Sequence, residues 1–367
     1  MHRLFAAAAA AALAVACGDA PAPPAPAEAP AEPAAAAAPA APAGPDRAAI
    51  RAKARAIFGD LPDEAASPAN PVTDAKIALG RMLYFDTRFS KNQDISCNTC
   101  HPLHRYGVDG EPTSAGHRGQ RRSRNSPSVY NAALHVAQFW DGRAKDVEEQ
   151  AKGPVLSPVE MAMPAEPVVI EILRSIPGYA EPFAAAFPGE ADPITYQNMA
   201  RAIGAFERRL ITPSRFDAFL EGRDDALADA EVEGLDRFIA LGCIQCHLGP
   251  ALGGASFQKI GRAEPYPTAD LGRFEITQQE SDRFVFKVPS LRNVERTGPW
   301  FHDGGVDSLD EAIRRMGRYQ LGVAFSEAEV ASLRAFLASL TGEVDAVYTK
   351  PPELPPSGPQ TPPPDLS

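Results

Sequence analysis

The stretch Cys97-Asn98-Thr99-Cys100-His101 constrains this chain more than any other. Two thiols three positions apart, followed at once by an imidazole, fit the chemistry of covalent haem: each sulfur can add to a vinyl group, and the histidine nitrogen can reach the iron from one face. Cys243-Ile244-Gln245-Cys246-His247 repeats the arrangement. The same pairs could also serve a zinc site with four thiolates or two redox disulfides, but neither needs a histidine after each pair. Four of the five cysteines and two of the seven histidines fall into the pattern, so the expectation is two covalently bound c-type haems.

At 367 residues the chain has room for two domains, each able to bury a core. The net charge of -11 argues against nucleic acid as a partner and suits a redox partner that docks through lysines, without deciding the fold. Residues 1–17 have the form of an export signal: His2 and Arg3, an apolar run from Leu4 to Ala16, then Cys17. Cys17 stands where a bacterial lipoprotein is cleaved and acylated, and simple secretory cleavage is the alternative; either way the expectation is a periplasmic protein, with or without a lipid anchor. Residues 18–45, rich in Ala and Pro, are too poor in large apolar groups to fold and read as a disordered linker. The Pro-rich residues 346–367 are expected to be a disordered tail.

Between these segments the signals are mostly helical. An alanine-rich basic pattern covers 46–58, and Thr73 or Asp74 can cap a helix over 75–83. Pro167 and Pro193 are expected in the first turns of helices over 168–174 and 194–210. A further amphipathic helix over 229–242 delivers Cys243. Ser308 with Glu311, and Ser326 with Glu329, match the capping box before helices at 309–317 and 327–340. Residues 249–290 read as loop with room for a short hairpin. The expected fold is mainly α: two cytochrome c-like haem domains with long loops, an N-terminal one over 46–210 and a C-terminal one over 211–345, parted near Thr212-Pro213-Ser214.

A haem iron has six positions and each motif histidine supplies one. A Met thioether opposite raises the potential, a His lowers it, and an open position admits a small ligand. Outside the motifs and the signal stand His104, His117, His135 and His302. Of these, His104 is expected to be exposed and His135 to be a satisfied core residue.

Phe139-Trp140-Asp141-Gly142-Arg143, Gly153-Pro154 and Glu160-Met161-Ala162-Met163-Pro164 follow the first haem motif; Pro289-Ser290-Leu291-Arg292-Asn293 and Met316-Gly317 follow the second. This series resembles the bacterial di-haem cytochrome c peroxidases from about Lys76 to Gly342. The resemblance implies reduction of hydrogen peroxide to water with electrons from a small periplasmic cytochrome c or cupredoxin. It implies that His117 is a removable distal ligand on the first iron, opposite His101. It implies too that Met316 is the sixth ligand of the second, opposite His247. By the same resemblance Trp140 bridges the haems and Glu160 is the acid/base residue of the peroxide pocket, with Gln150 the nearby polar group. Val159, Met161 and Met163 suggest a partly buried Glu160, and burial favours the protonated form of a carboxyl. The resemblance further implies a calcium ion at Asn125, Thr297 and Pro299, and family members are commonly dimers. Two readings compete: a related di-haem oxidase that matures an amine dehydrogenase, which has a tyrosine where this chain has Met316, and a non-enzymatic di-haem electron carrier or redox sensor.

Overall fold

Two helix crossings, each seated on one glycine, set the framework. Thr73 caps the helix Asp74–Phe85, which crosses the helix Tyr196–Glu207 capped by Thr195. A Cβ at Gly80 would lie 1.9 Å from the carbonyl oxygen of Ala202, so only glycine permits this approach. Asp229–Ala240 crosses Glu327–Ser339 in the same manner, with Gly234 facing the carbonyl of Ser332 at 2.1 Å from a built Cβ. The description is of a computed structural model and covers residues 44–367 together with 21, 22 and 24. The export signal, Cys17 and nearly all of the linker lie outside the described residues.

Apolar side chains collect into two main cores. One is built from residues between Leu79 and Leu210, with Tyr84, Phe183 and Phe206 fully buried. The other joins Ile50, Ala54 and Phe58 of the helix Arg47–Phe58 to residues between Phe216 and Leu340. The first helix therefore packs with the C-terminal half, although the sequence reading placed residue 46 onward in the N-terminal domain. The structure is mainly helical with one small sheet, Phe257–Lys259 antiparallel to Val285–Lys287.

One helix starts later than expected, and another was not anticipated. Pro193 precedes the helix it was expected to open, because the Thr195 hydroxyl accepts from the Asn198 N–H and sets the start at Tyr196. Val147–Leu156 is helical despite Pro154, capped by Asp146, whose side chain accepts from Glu149. The disordered tail is a correction: residues 346–367 run extended over the N-terminal half and are held at intervals. Arg81 donates to the Val347 and Lys350 carbonyls, Arg88 to Pro355, and Gln93 to Pro362. The Thr361 hydroxyl bonds to Ser175, the Asp365 N–H donates to Lys91, and Arg118 donates to Leu366. A proline-rich segment has little backbone freedom to lose, so a few such bonds suffice to fix it.

The structure contains an internal repeat. Pro127-Ser128-Val129-Tyr130-Asn131 and Phe139-Trp140-Asp141-Gly142 return as Pro289-Ser290-Leu291-Arg292-Asn293 and Phe301-His302-Asp303-Gly304, each 162 positions on. The backbone repeats too. Asn131 and Asn293 are left-handed at φ 61° and 62°, Phe139 and Phe301 at 66° and 69°, and the bridges Gln138–Ala144 and Trp300–Val306 correspond. The copies meet reciprocally: the Asn125 N–H donates to His302 at 2.8 Å, and the equivalent Lys287 N–H donates to Trp140 at 2.7 Å. This is the pattern of a two-fold interface within one chain.

Candidate active site

Each Cys-x-x-Cys-His motif is a single turn closed by its own histidine. At the first, Ser96 and Thr99 form a capping box, and the His101 N–H returns to Cys97. Burial pushes the Cys97 thiol up to about 12 and Cys100 and Cys243 to about 11, so the sulfurs are neutral rather than thiolate. Among the described residues no three His, Cys, Asp or Glu side chains converge as a metal site, and the four cysteines form no disulfide. The two pairs do not converge on one centre, so the four-thiolate zinc reading does not fit.

The motif imidazoles are oriented alike. His101 Nδ1 lies 3.2 Å from the Gly107 carbonyl and His247 Nδ1 lies 3.1 Å from the Leu252 carbonyl. A carbonyl can only accept, so each Nδ1 carries the proton and each Nε2 is left as a free electron pair. Burial holds both rings neutral, with His247 down to about 4. A neutral imidazole with Nε2 bare is what an iron requires.

A cavity of about 250 Å³ adjoins the second motif. Cys243, Cys246 and His247 line it together with Met316, the last residue of the helix Leu309–Met316. Trp140, Asn125, Thr297 and Pro299 border the same cavity. The Trp140 indole N–H donates to the Asn125 carbonyl at 2.9 Å, which fixes the ring at the join between the repeats. The Asn125 Nδ2 donates to the carbonyls of Glu111 and Pro112, so Oδ1 is turned away from that pair.

Beyond the first motif, His117 is buried in a tight turn, and its backbone N–H is shared between the carbonyls of Val159 and Glu160 at 3.0 and 2.8 Å. Gly116 makes the approach feasible, since a Cβ there would lie 2.0 Å from the Val159 oxygen. Glu160 is half-buried and pairs with Arg122 Nε at 3.2 Å. Gln150 lies on Val147–Leu156, whose Pro154 carbonyl accepts from Met161. Of the remaining histidines, His104 is exposed. His135 is half-buried: Nδ1 meets Lys287 Nζ at 3.1 Å while Nε2, buried, has no partner, so it is not the satisfied core residue expected.

The sequence reading missed Arg122, Lys287 and His302. His302 is buried beside Trp140, ring centroids 6.4 Å apart, and stacks on Phe286 at 4.3 Å. The signal was present, because the repeat pairs His302 with Trp140 and Lys287 with Asn125.

Fold and site together define a protein built around two covalently bound c-type haems. Comparison with known proteins gives the same class. The profile of the di-haem cytochrome c peroxidase family matches residues 74–225. The cytochrome c551 peroxidase of Nitrosomonas europaea is 45% identical over 317 residues, 86% of this chain and 93% of that protein. The cytochrome c551 peroxidase of Pseudomonas aeruginosa is 42% identical over 321 residues, covering 86% and 92%. Among solved structures, a MauG-like protein associated with microbial copper homeostasis aligns with TM-score 0.72 at 29% identity, covering 80% of this chain and 97% of that one. The chain belongs to the di-haem cytochrome c peroxidase family and is a haem-dependent peroxidase.

Proposed function

We propose that this protein reduces hydrogen peroxide to two waters in the periplasm, consuming two protons and two electrons delivered by a small exported cytochrome c or cupredoxin. His101 would hold the first haem, and His247 with Met316 the second. The observation that carries the reading is the shared hydrogen bond of His117 with Val159 and Glu160. It makes the candidate lid and the candidate acid/base residue one mechanical unit. Release of His117 then opens the pocket and resets Glu160 together.

Bound haem would supply the redox chemistry and the stored electrons for peroxide reduction. Glu160 takes the proton from the inner oxygen and returns it to the outer one, so that water can leave. Arg122 holds the Glu160 carboxylate in place and Gln150 supplies a further polar contact. Trp140, fixed at the join between the repeats, would serve as the relay. Asn125 Oδ1 with the carbonyls of Thr297 and Pro299 would hold calcium, an oxygen set completed by water. Dimer formation and lipid attachment at Cys17 belong to the same reading.

Methionine at 316 favours this reading over the oxidase that matures an amine dehydrogenase. A permanently closed pair of irons would instead give an electron carrier. A stepwise reductive titration, with spectra and peroxide addition at each stage, separates the possibilities. On the peroxidase reading the half-reduced protein binds cyanide and consumes peroxide with reduced cytochrome c. His117→Gly opens the first haem in the oxidised state, and Glu160→Gln loses about 100-fold or more in turnover with both haem spectra intact. A half-reduced protein that ignores both cyanide and peroxide overturns it in favour of the carrier.

A further inference from the structure

Lys287 is 5% exposed, and among the described residues no carboxylate pairs with it. Its ammonium meets only His135 Nδ1, at 3.1 Å. That ring ends on a buried Nε2 with no partner. A buried charge left this way is costly, so something that occupies the adjoining space must supply the negative charge. The adjoining space is the cavity, which Lys287 and His135 line together with His247 and Met316.

The repeat says what kind of site this is. Lys287 stands in the second copy where Asn125 stands in the first, and Thr297 in the second copy answers to His135 in the first. Asn125 and Thr297 are the residues assigned above to a bound cation. Their mates across the pseudo-two-fold are an ammonium and an imidazole. One site would bind a positive ion from solution, whereas the other carries its positive group on the chain.

We propose that Lys287, oriented by His135, is a built-in cation that binds a propionate carboxylate of the second covalent haem and thereby raises that haem's reduction potential. Burial holds the Lys287 ammonium down to about 8, which leaves it largely protonated at neutral pH. A nearby carboxylate would hold the proton more firmly. The charge favours the reduced, less positive haem over the oxidised one. The backbone N–H of Lys287 donates to the Trp140 carbonyl, so the clamp and the relay ring are fixed to each other.

The inference takes the two haems as given and rests on the reading that His247 and Met316 would hold the second. Its test is the potential of each haem in the full-length Lys287→Met protein, measured by spectroelectrochemistry after confirming by mass that both haems are attached. Expected is a loss of about tenfold or more in the equilibrium constant for reducing the high-potential haem, ~59 mV for a one-electron couple. Lys287→Arg should restore most of it, and the low-potential haem should move less. A high-potential haem unmoved within twofold overturns the inference, as does a shift confined to the other haem. Should Lys287→Met fail to accumulate, Lys287→Gln gives the same readout, and His135→Leu should alter the propionate-bending bands in resonance Raman; unchanged bands overturn it. Loss of the methionine-ligand signature in the unaltered protein would instead strike the placement of the second haem.

Discussion

Glu207 is buried next to Glu148, whose carboxylate is already taken by a two-point bond to Arg208, 2.8 Å on each side. Burial, with repulsion from Glu148 added and Arg208 opposing, pushes the Glu207 carboxyl from about 4.5 up to about 8. The folded state therefore holds this proton more tightly than the unfolded chain. The stability it contributes is complete below about pH 4.5 and is lost as pH rises to about 8. Glu207→Gln should flatten that slope, gaining stability over the unaltered protein at pH 8 but not at pH 5 in urea unfolding. Such residues were invisible beforehand, because a glutamate on a helix reads as solvated until its neighbours are known. The motif cysteines and histidines were legible because covalent chemistry dictates their spacing. Lys287 was not, since an isolated lysine in a strand looks exposed.

At the scale of elements the two halves are joined by a side-chain clasp. Thr212, fully buried, accepts from Asn131 Nδ2 at 2.8 Å and from Asn293 Nδ2 at 3.0 Å through one hydroxyl. Thr212→Val keeps the shape and strands two buried amides, for an expected loss of about 2–4 kcal/mol in denaturant unfolding. The sequence interruption at 212–214 was read as a boundary, and the same residues prove to be the join. The helices capped by Asp46, Thr73, Thr195, Ser308 and Ser326 were legible to within two or three residues. Val147–Leu156 was not, because Pro154 in a helix interior usually argues for a break. The repeat itself was within reach of the sequence, but each copy is short and only its left-handed residues and bridges make the equivalence plain.

Across the whole molecule, residues 346–367 bind the N-terminal half from Arg81 round to Arg118, the neighbour of His117. Lys91, six positions before Cys97, holds Asp365 by backbone bond and by an ion pair of 3.6 Å. Deleting residues 351–367 should therefore leave haem attachment intact and speed amide hydrogen exchange at 116–120 by about tenfold, read by mass spectrometry; an unchanged rate there would mean the contacts carry no weight. The consequence reaches beyond folding. A peptidase that cuts just before Leu366 removes the carbonyl that Arg118 grips while sparing both cores. If His117 is the lid proposed above, loss of that grip would register first in how readily the lid lifts, well before any loss of architecture.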